Sequence, residues 1–165
     1  MWCACLFGVS WIPEKPVALL CSHLPLIIIC VLALSRQTGV LIESALLLLV
    51  CEGICKPLLR NPRPEAACDS GFGMPSSHSA LSALWLYRYW ASTRGLSLLL
   101  LTVPWSRVSL KDHSVLQVSI GIAVGTAAAL MFSTFFNVND AGWIGSRSLQ
   151  LSFIRTVRWS PSWTC

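Results

Sequence analysis

Charge is what this sequence has least of. Of 165 residues only 12 are basic and 7 acidic, 12% in all, about half the roughly 25% of a typical soluble domain. Hydrophobic residues make up 55%, and mean hydropathy is +0.66. So thin a charged shell cannot cover a soluble fold of this size. An ordinary cytosolic enzyme, a disordered tail and a fibrous repeat are excluded, and an integral membrane protein remains. Clustering of basic residues is lacking too. Nucleic-acid binders gather Lys and Arg on one face or helix; here the net charge of +5 is spread singly between apolar runs, with a few in the tail, and no nucleic-acid partner is expected. The eight cysteines include no C-x-x-C pair with matching His or Cys spacing, so no metal is expected. Cys21, Cys30, Cys51 and Cys55 sit in or beside apolar runs as small hydrophobes, and only Cys3, Cys5, Cys68 and Cys165 are placed to reach an oxidising compartment. The stretch Met1 to Pro13 has no basic n-region; no cleaved secretory signal is expected, and its first apolar run reads as an uncleaved targeting segment.

What is present is a series of about five apolar segments, predicting an all-α, polytopic transmembrane helix bundle. A bilayer core of about 30 Å asks for roughly 20 apolar residues per helix. Pro16 to Ser35 and Ser114 to Asn139 contain no Asp, Glu, Lys or Arg and read as full spans; Gly39 to Cys55 reads as a shorter one, interrupted by Glu43 near one end. The third and fourth segments, Ser79 to Trp90 and Leu96 to Trp105, are short. Gly121, Gly125 and the run Ala127 to Ala129 predict a surface where another helix packs closely. The stretch Lys56 to His78, rich in Pro and Gly, reads as a loop with defined turns. The domain reading is a membrane-embedded region over 1–140 and a polar, basic tail over 141–165 that includes Arg147, Arg155 and Arg158. If the Lys56–His78 loop faces one side, Arg36, Arg94 and the tail face the other, and the positive-inside bias makes that second side cytosolic.

Three clusters fall at the ends of apolar runs on the side of that loop. The first runs from Lys56 to Arg63-Pro64, the second is Gly73-Met-Pro75-Ser76-Ser77-His78-Ser79, and the third is Ser106-Arg107 to His113. Taken singly they are bland: a basic loop flanking a membrane, a helix N-cap beside a chance His, a polar turn. Together, and in order, each supplies Lys, Arg or His at a membrane boundary. Small hydroxyl residues at a helix start also leave backbone N–H groups that can cradle an anion.

The set Lys-x6-Arg-Pro, Pro-Ser-x-His and Ser-Arg-x5-His resembles the type 2 phosphatidic acid phosphatase superfamily of membrane lipid phosphatases, over roughly Pro16 to Phe136. Gly-Met-Pro-Ser-Ser-His-Ser and Gln117-Val118 most resemble its dolichyldiphosphatase branch. The resemblance implies hydrolysis of the terminal phosphate of dolichyl diphosphate on the lumenal face of the endoplasmic reticulum membrane, without cofactor or metal, in support of protein glycosylation. It makes His113 the nucleophile, through a phosphohistidine, and His78 the acid and then the base. Lys56, Arg63, Arg107, Ser76 and Ser77 would hold the phosphate, since guanidinium groups match phosphate oxygens in pairs. Many relatives have Gly before the His of the second motif and an acidic residue four positions after the last His; Ser77 and Gln117 stand there instead. Gln117, one helical turn beyond His113, could orient its ring through the amide oxygen.

The alternatives are a phosphatase of another lipid or a small phosphate ester, and a truncated, non-catalytic membrane homologue. The last is motivated by the tail, which lacks the family's usual final hydrophobic span. It is motivated also by the 27 residues between His78 and Ser106, enough for about 40 Å of helix where two full crossings want about 60 Å. The partners implied are a polyisoprenoid or other lipid phosphate as substrate and the surrounding membrane lipid.

Overall fold

The computed structural model describes residues 5–6, 9–10, 15–34, 38–67, 70–90 and 96–135. Apolar runs of this length bury no backbone polarity if they close their hydrogen bonds internally, so they form helices. In chain order these are α1 (Pro16–Leu34), α2 (Thr38–Leu48), a π-helical stretch (Leu49–Cys55), α3 (Lys56–Leu59), α4 (Ser77–Tyr89), a 3-10 turn (Leu96–Leu101), α5 (Thr102–Ser109) and α6 (Val115–Phe135). A two-residue antiparallel pairing of β1 (Cys5–Leu6) with β2 (Val9–Ser10) precedes them. The fold is all-α in every element that builds the core. Among the described residues three helices are long and apolar enough to cross a membrane: Pro16–Leu34, Thr38–Leu59 and Val115–Thr134. The tail over 141–165, Arg36, Arg94, Cys3, Cys68, Cys165 and most of the Met1–Pro13 stretch lie outside the described residues.

The second long helix differs from its sequence expectation. It continues unbroken through the π-helical stretch into α3, so Lys56 belongs to a helix and not to the loop. The π turn has a consequence that the α period hides. The buried positions run Gly39, Glu43, Leu47 and Cys51 at intervals of four, and the next buried position is Lys56, five residues on. A π turn accommodates one extra residue. It thereby rotates Lys56 onto the packed face, where strict α-helical spacing would have put Cys55.

The short third and fourth segments fold as a hairpin. At 13 residues α4 runs about 20 Å, well under a bilayer core, and α5 is shorter still at 8 residues. The shortage of chain between His78 and Ser106 is met by short helices. Trp85 and Leu84, fully buried, anchor the hairpin in a core with Leu32, Leu47, Cys51, Leu81, Leu100 and Ala129. Trp85 Nε1 donates to Ser44 Oγ at 2.9 Å, so the one polar atom of this large side chain is satisfied. Arg88, in the last turn of α4, pairs with Glu43 at 2.5 Å, which neutralises the acidic interruption of α2.

The closest helix contact is between α4 and α6. A methyl group at Gly121 would meet the Ser76 carbonyl at 2.5 Å, and one at Gly125 would meet the Ala80 carbonyl at 2.1 Å. With Ala129, also fully buried, these glycines form a stripe at intervals of four. Such stripes let backbones approach where lipid supplies no hydrophobic drive between helices. Ala127 lies outside this stripe and is exposed, so the small-residue surface is narrower than the sequence suggests. Replacing Gly125 with Val is expected to destabilise the bundle by about 3 kcal/mol, because backbone is in the way. Ala127→Val should change little; thermal unfolding of both variants in detergent checks this.

Candidate active site

The three sequence clusters meet at one end of the bundle. Lys56 is delivered by the π turn, Ser76 to His78 by the start of α4, and Arg107 by the last turn of α5. The segment between α5 and α6 then folds back on Arg107: the backbone N–H groups of Asp112 and His113 both donate to the Arg107 carbonyl, at 3.1 and 3.3 Å. Lys111 takes a left-handed φ of 61° to make that tight return. His113 is thus fixed beside the arginine, buried at 3% exposure.

The orientation of the His113 ring follows from the amide of Gln117. Gln117 Nε2 donates to Asn61 Oδ1 at 2.6 Å and to the Pro62 carbonyl at 2.8 Å. A carbonyl only accepts, so the amide nitrogen must face it and the amide oxygen must face the other way. That oxygen receives the Ser114 backbone N–H at 3.2 Å and meets His113 Nδ1 at 3.2 Å. Nδ1 therefore carries the ring proton, and the lone pair is on Nε2. Gly73 makes the arrangement possible, because a Cβ there would strike the Gln117 amide at 2.6 Å. The Gly73 N–H in turn bonds the Asn61 carbonyl at 2.8 Å, tying the loop after α3 to the loop before α4.

The cations surround both imidazoles. Burial first, then the Arg107 and Arg63 charges, hold His113 down to about 3, the Gln117 hydrogen bond opposing and Lys56 adding to them. His78 is pushed well below its ordinary value by burial, then by Arg107, His113, Lys56 and Arg63. Each ring therefore lies in the field of the same three cations. Arg107 is lowered to about 10 by burial and by Arg63, against Asp112, which raises it. Asp112 Oδ2 stands 3.1 Å from Arg107 Nη1, and both side chains are 1% exposed. Ser76, fully buried, stands at the N-cap position of α4 without a side-chain capping bond, and its backbone N–H is bound to the Gln117 carbonyl at 3.1 Å. Its hydroxyl receives that of Ser79 at 3.1 Å.

Of the residues singled out in the sequence, direct contacts join His113 to Gln117 and, through the return of the chain, to Arg107, and join Lys56 and Ser77 through Glu52; Ser76 and His78 lie at the head of α4, and the charge of Arg63 acts on both imidazoles. The structure adds Asp112, Glu52 and Asn61. Glu52 takes Lys56 Nζ on both carboxylate oxygens, at 2.6 and 2.8 Å, and receives the Ser77 hydroxyl. Its position four residues before Lys56 is a recognisable ion-pair spacing on a helix. Among the described residues no three His, Cys, Asp or Glu side chains converge as a metal would require. Within this site Lys56 and Arg107 are each paired with a carboxylate, Glu52 and Asp112. Beside the site, a groove of about 320 Å³ opens between α4, α5 and α6, lined by Ser82, Leu86, Trp90, Leu101, Pro104 and Ile122. Ser82 is one turn along α4 from His78, and Pro104 one turn before Arg107 on α5.

The depressed imidazole implies a definite pH dependence of stability. Between its ordinary value of 6.5 and its folded value of about 3, the unfolded chain binds a proton that the folded chain refuses. Stability is therefore full above 6.5 and falls as pH drops through that window, by up to about 1.4 kcal/mol per pH unit. His113→Gln should flatten this slope relative to wild type in detergent unfolding from pH 7 to 4; parallel curves would contradict it. Comparison of the chain with protein-family models, with curated proteins and with solved structures returns no match.

Proposed function

We propose that this chain is a membrane lipid phosphatase of the type 2 phosphatidic acid phosphatase kind, hydrolysing the terminal phosphate of dolichyl diphosphate to dolichyl phosphate and inorganic phosphate. The observation that carries the reading is that His113 presents the Nε2 lone pair, its Nδ1 proton held by Gln117, where Lys56, Arg63 and Arg107 all act on both imidazoles. Nε2 attacks the terminal phosphorus, and the bond from phosphorus to the bridging oxygen breaks. His78 gives the departing dolichyl phosphate its proton. His78 then takes a proton from water, the hydroxide attacks the phosphohistidine, and inorganic phosphate leaves with His113 restored.

The low proton affinity of both rings suits the first step, because the nucleophile must be neutral. An incoming phosphate brings negative charge that offsets the cations and raises the proton affinity of His78, which equips it as the acid. The cations meet the charge that accumulates on phosphoryl and leaving oxygens. The apolar groove one turn from the site suits a long hydrocarbon chain attached to the phosphate. By its resemblance and the distribution of its basic residues, the chain belongs in the endoplasmic reticulum membrane with the site facing the lumen.

Purified protein should release phosphate from dolichyl diphosphate faster than from phosphatidate. His113→Ala should reduce release by at least about a thousandfold, whereas EDTA should not; strong EDTA sensitivity, or an active His113→Ala, would overturn the reading. Leu86→Trp, which fills the groove, should raise KM for the isoprenoid diphosphate about tenfold and far more than for a short-chain phosphate ester. An equal effect on both would separate the groove from substrate binding.

A further inference from the structure

Lys56 and Ser77 are assigned to the phosphate, yet both already hold an anion. Lys56 is 8% exposed, and its ammonium is bound by both oxygens of Glu52, at 2.6 and 2.8 Å, one of which also takes the Ser77 hydroxyl. A carboxylate that accepts from an ammonium and a hydroxyl presents the same acceptors as two oxygens of a phosphoryl group. The two carboxylates of the site are not alike in this. Asp112 is locked, 1% exposed against an equally buried Arg107, and its backbone N–H is bound to the Arg107 carbonyl. Glu52 is 51% exposed at its side chain. Glu52 has room to leave; Asp112 does not.

We infer that Glu52 is an affinity-determining residue of this site: in the empty protein its carboxylate occupies the phosphate-oxygen positions on Lys56 and Ser77, and an arriving phosphate must displace it. The inference rests on the phosphate-binding reading above. Charge sets the direction. With Glu52 in place, its negative charge stands on Lys56 where a phosphate oxygen would go, and an arriving phosphate dianion would be repelled by it. With Glu52 swung off Lys56 and Ser77, that repulsion is removed and their donors are freed for the phosphate. Glu52 therefore weakens resting affinity for phosphate, the product of the proposed reaction, and favours its release.

The test is the binding of inorganic phosphate to the full chain in detergent, by calorimetry, for wild type and Glu52→Gln. The variant keeps the size and hydrogen-bonding reach of the side chain and loses its charge. Displacement predicts that Glu52→Gln binds phosphate about tenfold more tightly, and binding by the variant alone would support it equally. An unchanged or weaker affinity would overturn it, leaving Glu52 as a prop for Lys56. Should neither protein bind phosphate, both this inference and the phosphatase reading fall, whereas binding unaffected by the substitution removes only the inference. Glu52→Ala, which removes the carboxylate altogether, should also tighten binding, and it serves if Glu52→Gln does not fold.

Discussion

Three like charges drawn into one poorly hydrated corner of an apolar bundle are the constraint around which this structure is organised. Lys56, Arg63 and Arg107 repel one another, and burial removes the water that would screen them. The fold answers with two carboxylates of different kinds, Asp112 locked against Arg107 and Glu52 laid across Lys56 and Ser77. It answers also by keeping both imidazoles neutral, since neither accepts a proton readily there. A site so composed gathers its cations, carboxylates and imidazoles in one buried cluster, and the chemistry proposed for it is that of receiving a phosphate there.

The rest of the architecture can be read as the means of holding that corner together. Close approach of α6 to α4 through Gly121 and Gly125 places Gln117 above the loops that carry Asn61, Pro62 and Gly73. The amide of Gln117 then joins Asn61 and Pro62 to His113, in the room that Gly73 leaves. The Glu43–Arg88 pair and the Trp85–Ser44 bond secure the hairpin in the core, so that His78 and Arg107, at the ends of two short helices, return to the same place.

Much of the fold was legible in the sequence because membrane helices follow from local composition. Uncharged runs marked α1 and α6, and glycines four apart marked the face of α6 on which α4 lies. The site was legible as three motifs in order. What composition could not convey is anything that depends on contacts between distant segments. The inward turn of Lys56 requires a π-helical register that the α period does not anticipate. The need for Gly73 arises from a side chain 44 positions later in the chain, and the orientation of Gln117 from an asparagine 56 positions earlier. The groove between α4, α5 and α6 left no mark at all, since its lining is apolar like everything around it. Glu52 and Asp112 were visible as neighbours of motif residues, yet sequence spacing alone cannot tell a partner from a bystander.

The most direct measurement of the central claim is to quench the protein during turnover of dolichyl diphosphate and map covalent phosphate by mass spectrometry. The account predicts phosphate on Nε2 of His113, at a level that rises when hydrolysis of the intermediate is slowed by replacing His78. Phosphate release that proceeds with no phosphorylated enzyme, or with phosphate on another residue, would contradict it.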